Sequence, residues 1–308
     1  MRFRVAIVFF LCSISVFAQE SRSNQRIRVV TIPITVLSKQ EIREKELEEV
    51  IEAGEIIVKE NGQEQQIISI RGANESPLSL AILIQDDLSS AVNLELKTIR
   101  EFIRRLPSGS RVMVAYIRGG NVLVRQKFTD DLEKASKALS LVSSSQIPTA
   151  NNIFQSLREV IKRFDSLPSG RRAILLVSDG IDSSLITSFS LQSLDLDKAI
   201  KAAQQRGVAV YAFYAASNLS ERLGSKQILN AQSVLIKLSE ETGGKSLFTG
   251  LSMPVSFSPF LRELALFLDR QLVLTYLSTN MKKGYYRVEI KATNPEIKIE
   301  HPKGYYYK

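Results

Sequence analysis

The chain has 308 residues, a formal net charge of +9 and a single cysteine. Arg2 and Arg4 precede a mostly apolar stretch, 5–16, which is followed by a small residue, Ala18. This is the pattern of a secretory signal peptide, so we expect residues 1–19 to be removed on export and the protein to be periplasmic or extracellular. The apolar stretch is shorter than the about 20 residues of a membrane span. We therefore expect no transmembrane segment after signal removal.

The mature chain would contain no cysteine, because Cys12 lies in the signal peptide. Disulfides, zinc–thiolate sites and cysteine nucleophiles are therefore excluded. The single histidine, His301, follows a strand-like stretch and precedes Pro302, so we expect it on the surface. Basic residues occur as scattered pairs such as Arg171-Arg172, which we expect on solvated faces. No run of Lys and Arg interleaved with aromatic residues suggests nucleic-acid binding.

Residues 20–76 are predicted to form a β-rich segment. Pro33 places the first strand at an edge or a bulge. Asn61-Gly62 lies between two β-type runs and indicates a hairpin, with a connection longer than two residues. The predicted elements are a strand over 27–37, a charged helix over 41–52, and β runs over 56–60 and 66–70.

Residues 77–270 alternate strands with helices, which predicts a mainly parallel sheet covered on both faces. Apolar runs bounded by turn residues, such as 80–84 and 174–177, are typical of buried parallel strands. The helix over 228–241 ends at Gly243-Gly244, a C-cap signature. The other predicted elements are strands over 112–117, 122–128 and 208–214, and helices over 94–106, 131–142, 152–164, 199–205 and 258–270.

β character returns in the last segment, 271–308, over 272–277, 285–290 and 297–299. We expect these stretches to pair with the N-terminal strands. The predicted fold class is α/β: a doubly wound, mainly parallel, Rossmann-like sheet with a small β subdomain formed from the N- and C-terminal segments.

Three loops are predicted to meet at the carboxyl edge of the parallel sheet, where open α/β folds bind ligands. Residues 86–90 follow the first parallel strand, 148–152 precede a helix, and 179–184 follow the strand at 174–177. Their carboxylate and hydroxyl oxygens suit a hard cation such as Mg²⁺.

The same side chains have plainer interpretations. Asp179 and Asp182 are suited to Asx turns or caps, as are the two aspartates at 86–87. The serines of the loops, with Thr149 and Asn151, are suited to capping helix N-termini. The sequence leaves both interpretations open.

Four features together resemble the von Willebrand factor type A (VWA) domain family. They are the strand ending in Asp86, Ser-Asp-Gly at 178–180, Glu-Thr-Gly-Gly at 241–244, and Lys-Gly-Tyr-Tyr at 303–306. The chain is most similar to the bacterial secreted VWA-related subgroup, in which a short β region precedes the VWA domain. The resemblance covers most of the mature chain and implies a VWA-like domain over 77–270.

Metal-binding members of this family use an Asp-x-Ser-x-Ser loop, a Thr from a second loop and an Asp from a third. Asp179 matches the third-loop Asp. In the second loop, Asn151 stands where the Thr is expected, and Thr149 lies two residues earlier.

The first loop departs from the family pattern. It gives Asp86 with Ser90 or, in an alternative frame, Asp87 with Ser89, and neither frame supplies both hydroxyls. The resemblance therefore implies a degenerate metal ion-dependent adhesion site, with Mg²⁺ or Mn²⁺ as its cofactor.

The resemblance implies a non-enzymatic, exported module for protein–protein or surface adhesion, whose ligand is a protein or surface polymer, often acidic. The alternative is a structural or assembly subunit with a metal-free site that binds partners through other surfaces. No nucleotide is expected, because Gly-Lys-Ser at 244–246 follows a helix instead of preceding one. A hydrolase using Ser89 or Ser183 would have no nearby histidine.

Overall fold

The computed structural model describes residues 27–38, 56–143, 151–182, 193–248, 250–251 and 254–307. The predicted signal peptide and the helix predicted over 41–52 lie outside them. Within this part of the chain, no helix has the length and apolar character needed to cross a membrane.

The described residues form strands and helices as follows. The strands are β1 (Arg28–Ser38), β2 (Ile56–Glu60), β3 (Gln63–Arg71), β4 (Ser79–Gln85), β5 (Arg111–Arg118), β6 (Asn121–Thr129), β7 (Arg172–Ser178), β8 (Val208–Tyr214), β9 (Ser246–Leu247), β10 (Gln271–Ser278), β11 (Gly284–Ala292), β12 (Ile297–Glu300) and β13 (Gly304–Tyr307). The α-helices are α1 (Val92–Arg104), α2 (Leu132–Lys137), α3 (Ile153–Lys162), α4 (Leu194–Gln204), α5 (Ser225–Thr242) and α6 (Ser258–Asp269). Short 3₁₀ turns cover Arg163–Ser166 and Ser220–Arg222.

Strands from both ends of the chain form one antiparallel sheet, in the order β12-β1-β10-β3-β2-β11-β13. β1 pairs with β10 from Arg28↔Ser278 to Thr35↔Gln271. The sheet curls so that Cζ of Arg28 on β1 lies 4.1 Å from the ring centroid of Tyr307 on the distant edge strand β13. Every second residue of β1 points into the curl, as the two-residue period of a strand requires. These inward residues, all buried, are Val30, Ile32, Ile34 and Val36.

The β2–β3 hairpin is tighter than predicted. Glu60 pairs with Gln63, so the connection is two residues, not longer. Asn61 and Gly62 have φ values of +49° and +83°, and positive φ at both positions is the requirement of a type I′ hairpin turn. The sequence predicted an edge or a bulge at Pro33; β1 lies between β12 and β10, but β12 pairs only with 35–38, so among the described residues Pro33 is paired on one side alone.

The second sheet has the order β6-β5-β4-β7-β8-β9 and is parallel except for β6. Helices α1 and α6 pack on one face, and α3, α4 and α5 pack on the other. Strands β4, β7 and β8 are buried along their whole length. The expected mixed α/β architecture is thus confirmed, and we refer to this part as the α/β layer.

Three local expectations are wrong, and one strand, β13, was not predicted. The helix predicted over 131–142 ends at Lys137. The Arg171-Arg172 pair is buried instead of solvated. His301 is only partly exposed: its Nε2 accepts from the Ile290 amide at 3.2 Å, and its Nδ1 donates to a carbonyl oxygen.

Among the described residues of the curled sheet, Glu60 is the one fully buried carboxylate. It accepts hydrogen bonds from Tyr276 (2.8 Å), Ser278 (2.7 Å), Asn280 (2.6 Å) and Tyr305 (2.6 Å). Burial alone would raise the pKa of Glu60, but these hydrogen bonds outweigh it and lower the pKa. The donors come from β10, from the turn that follows it and from β13, so the carboxylate ties distant parts of the sheet together.

We expect Glu60→Gln to lower the free energy of unfolding by about 3 kcal/mol, because an amide N–H would replace an acceptor that faces several donors. Urea denaturation at neutral pH measures this. The control is Glu64→Gln, an exposed residue of the same hairpin, which we expect to leave stability nearly unchanged. Equal stability of the two variants would contradict the structural role of Glu60.

Candidate functional site

The candidate site lies at the carboxyl ends of β4 and β7, where the strand order of the α/β layer reverses. β4 continues through α1 on one face to β5, whereas its other neighbour, β7, continues through α4 on the opposite face to β8. The loops that follow β4 and β7 therefore lead to helices on opposite faces, and we refer to the position between these loops, at the carboxyl ends of the two strands, as the crevice. This is the position at which open α/β sheets bind ligands.

The loop after β7 is held by a glycine and two polar side chains. Gly180 has a φ of +71°, and a Cβ there would lie 2.7 Å from the Ala231 carbonyl oxygen of α5, so only glycine fits. The Ser178 hydroxyl and the Asp179 amide both donate to Oε1 of Gln85, at 2.7 and 3.2 Å. The loop is thereby joined to the end of β4 and packed against α5.

Asp179 is almost fully buried within this loop. Its Oδ1 accepts from the Ile181 amide at 2.9 Å, which forms an Asx turn, and its Oδ2 accepts from the Ser217 hydroxyl at 2.5 Å. Burial raises the pKa of Asp179 to about 6, the charge of Asp87 adds to the rise, and the hydrogen bonds offset only part of it. The site thus contains a carboxyl group that titrates near neutral pH.

Asn151 connects the other two loops. Its Nδ2 donates to both carboxylate oxygens of Asp87, at 2.9 Å each, and its Oδ1 accepts from the Gly120 amide at 3.3 Å. Asn151 also forms a parallel β-bridge with Asp182. The buried Asp182 carboxylate accepts from the Phe154 amide at the start of α3, at 3.2 Å.

Asp86 has a different environment from Asp87. Its carboxylate accepts from Arg118 Nε at 2.5 Å, and from the hydroxyl and amide of Ser143 at 2.9 and 3.1 Å. Arg118 also donates to the Ser143 hydroxyl at 3.1 Å. Asp86 therefore has a cationic partner within the chain itself.

The residues predicted as metal ligands have different environments. Asp87, Asn151 and Asp179 belong to the cluster at the crevice, whereas Asp86 is bound to Arg118. Ser90 is exposed, Ser89 is partly buried and donates its amide hydrogen to the Ala216 carbonyl oxygen, and Thr149 lies outside the described residues.

The described members of this set do not fit a divalent cation. The Asp86 carboxylate is bound to a guanidinium, and Asn151 presents its amide N–H, not its oxygen, to Asp87. Among the described residues, no three Asp, Glu, His or Cys side chains are grouped so that they could hold a metal ion. The Mg²⁺ or Mn²⁺ site stays a prediction.

The capping interpretations have mixed outcomes. The Asx turn at Asp179 is present. The N-termini of α1 and α3 have no side-chain cap from their own N-cap residues, Ala91 and Asn152. Asp182 instead reaches across to the first turn of α3.

Several site residues were missed by the sequence analysis. They are Gln85, Arg118, Ser143 and Ser217, each of which bonds to a predicted residue or its loop. Ser217 carried a usable signal, because it follows β8, the strand next to β7, by only three residues. Arg118 and Ser143 carried none, since their contact depends on how the β5–β6 hairpin and the chain after α2 return to the edge.

Six exposed apolar side chains lie in segments at the carboxyl edge of the α/β layer. They lie in the first two turns of α1, α4 and α5, directly before Val142, and in the segment between β9 and α6. Exposed apolar side chains on one edge of a protein favour an interaction site there. We call them the apolar ring: Leu94 (80% exposed), Leu141 (68%), Leu194 (76%), Leu229 (52%), Leu251 (37%) and Val255 (102%).

No family model matches the chain, and no curated protein matches it. An aerotolerance-related membrane protein from Bacteroides fragilis is similar in structure, with a TM-score of 0.47 and 13% identity over 62% of this chain and 98% of that one. BatB from Bacteroides thetaiotaomicron gives a TM-score of 0.43 and 13% identity over 61% and 95% of the two chains. A von Willebrand factor type A protein from Catenulispora acidiphila gives 0.46 and 11% over 79% and 72%. At these values, the likenesses do not assign the chain to a family.

We expect the free energy of unfolding of Asp179→Asn, minus that of the unmodified chain, to increase by about 1.5 kcal/mol between pH 5 and pH 8. The pKa of Asp179 is about 6 in the folded state, against an ordinary value of 3.8. Its protonated form therefore stabilises the fold at low pH, and this stabilisation is lost as the pH rises through 6.

Urea denaturation at the two pH values measures the difference. The control is Asp130→Asn, which removes an exposed carboxylate at the other end of the sheet and leaves the loop of Asp179 unchanged. A pH-independent difference for Asp179→Asn would show that its carboxyl group does not titrate in this range.

Proposed function

We propose that the chain is an exported, non-enzymatic binding module that contacts a partner protein through the carboxyl edge of the α/β layer. The observation that carries this proposal is the exposure of the six apolar ring residues on segments at the same edge of the sheet as its switch point. The ring residues and the crevice both lie at the carboxyl edge. One partner surface could therefore contact both.

The energetics favour this edge as the place of contact. Burying one leucine side chain contributes about 1.5–3 kcal/mol, so covering only two or three ring members supplies substantial affinity. The polar groups beneath the ring are held by hydrogen bonds within the chain, as between Asp87 and Asn151. A partner would thus meet a largely preorganised surface, which reduces the entropic cost of binding.

The ring also favours a protein over a surface polymer, since a polysaccharide offers few apolar groups to cover exposed leucines. The proposed contact does not require a cation, because the first-loop carboxylates are already engaged by Arg118 and Asn151. Export rests on the signal-peptide pattern of residues 1–19.

We expect Leu194→Glu and Leu229→Glu to weaken partner binding at least tenfold each, since either change places a charge in the apolar contact. The measurement is quantitative capture of the same partner from extracts of the source organism, followed by titration of the purified pair. Circular dichroism checks that each variant is folded.

Two matched controls distinguish this proposal from the alternative of binding through other surfaces. Leu266→Glu changes an exposed leucine near the end of α6, away from the crevice, and Ile68→Glu changes an exposed residue of the curled sheet. Both should bind normally. Loss of binding in Ile68→Glu, with Leu194→Glu unaffected, would place the interface on the curled sheet and contradict the proposal.

We also expect partner binding to have the same affinity in excess EDTA as in millimolar Mg²⁺ or Mn²⁺. The measurement is titration of the purified pair in each buffer. Restoration of binding by Mn²⁺ after chelation, and its absence in Asp179→Asn, would instead establish the cation site that the family resemblance implies.

A further inference from the structure

The single histidine of the chain, His301, lies where the curled sheet meets the α/β layer. It follows β12 directly and precedes Pro302, which leads into β13. A Cβ at Gly243, the C-cap residue of α5, would lie 2.7 Å from Cδ of Pro302 and 3.1 Å from the carbonyl carbon of His301. The backbone at 301–302 is therefore packed directly against the end of α5.

Lys303 adds two ion pairs to this contact. Its Nζ lies 3.1 Å from Oε2 of Glu240 and 3.6 Å from Oε1 of Glu241, both in the last turn of α5. Its carbonyl oxygen accepts from the Val288 amide of β11 at 3.0 Å. Residues 301–303 thus join β11 of the curled sheet to α5, and we call them the corner segment.

The imidazole of His301 continues the hydrogen-bond pattern of β11 at this corner. The Ile290 amide, two residues after Val288, donates to Nε2 of the ring at 3.2 Å. Nδ1 lies 2.8 Å from the Pro302 carbonyl oxygen. A carbonyl oxygen can only accept, so Nδ1 carries the proton and Nε2 is the acceptor. Both ring nitrogens are therefore engaged when the imidazole is neutral.

The surroundings of the ring oppose its protonation. Burial lowers the pKa of His301 from its ordinary value of 6.5, and the hydrogen bond to a carbonyl oxygen and the charges of Glu300 and Glu289 offset only part of the decrease. Each of these carboxylates has a cation beside it: Lys298 lies 2.6 Å from Glu300, and Arg287 lies 3.4 Å from Glu289. The attraction of the two carboxylates for an imidazolium is thereby reduced.

We propose that protonation of His301 releases the corner segment, so that the joint between β11 and α5 opens in acid. A protonated Nε2 carries an N–H that faces the Ile290 amide N–H, and the hydrogen bond between them is lost. Ile290 is buried, so leaving its amide without an acceptor is costly. Movement of the corner segment away from β11 lets water reach both groups.

The direction of the effect follows from the pKa of His301 in the two forms. With the corner segment closed, this pKa lies below 6.5; with the segment open, the ring is solvated and has its ordinary pKa. The open form therefore binds the proton more readily, and a falling pH favours opening. The contribution of His301 to stability is fully present above pH 6.5 and is lost below the pKa of the closed form. Histidine protonation changes packed interfaces in the same way in pH sensors.

The test is amide hydrogen exchange of the full chain, prepared without a histidine tag, at pH 7.5 and pH 5. After correction for the intrinsic pH dependence of exchange, we expect the Val288 and Ile290 amides to exchange about tenfold faster at pH 5. His301→Gln does not titrate and offers an oxygen acceptor, so it should show no such increase. His301→Ala lacks an acceptor and should exchange fast at both pH values.

Asp179 also titrates near pH 6, but it is unchanged in His301→Gln, so the comparison with this variant cancels its effect. The ¹⁵N signals of the imidazole give a second measurement that needs no variant. They should show the Nδ1–H form at neutral pH and a pKa below 6.5. Equal corrected exchange at the two pH values, an increase that persists in His301→Gln, or a neutral ring protonated at Nε2 would overturn the proposal.

Discussion

The antiparallel pairing of β1 with β10 brings the first described strand onto the strand that leaves the last helix. The remaining strands of the curled sheet add on either side of this pair, and the buried Glu60 carboxylate then connects β10 with the distant β13. The same pairing places Thr35 and Gln271 against the base of the α/β layer. The curled sheet therefore covers the amino end of the parallel strands, which leaves their carboxyl end as the face available to a partner.

At that carboxyl end, the polar groups are satisfied largely from within the chain. Arg118 and Ser143 hold Asp86, Asn151 holds Asp87, and Ser217 holds Asp179. These bonds fix three loops in a preorganised arrangement while the apolar ring above them stays exposed. Hydrogen bonding thus shapes the crevice, and the free energy of binding would come mainly from burying apolar surface.

Much of the fold could be predicted because its signals are local. Buried parallel strands such as β4 and β7 appear as continuous apolar runs between turn residues, and Gly180 marks a turn that only glycine can adopt against α5. The site was less predictable, because its bonds join residues far apart in the chain, such as Asp86 and Arg118. The burial of Arg171 is a tertiary effect of the junction between the two sheets, and nothing in its local sequence distinguishes it from a solvated residue.

The carboxyl edge of the α/β layer is the proposed binding face. Site-specific photo-crosslinking tests it most directly, with the reactive residue placed at position 194 in the apolar ring or at position 68 on the curled sheet, and the adducts identified by mass spectrometry. The account predicts a discrete adduct to one partner protein from position 194 and none from position 68. An adduct from position 68 alone would contradict it.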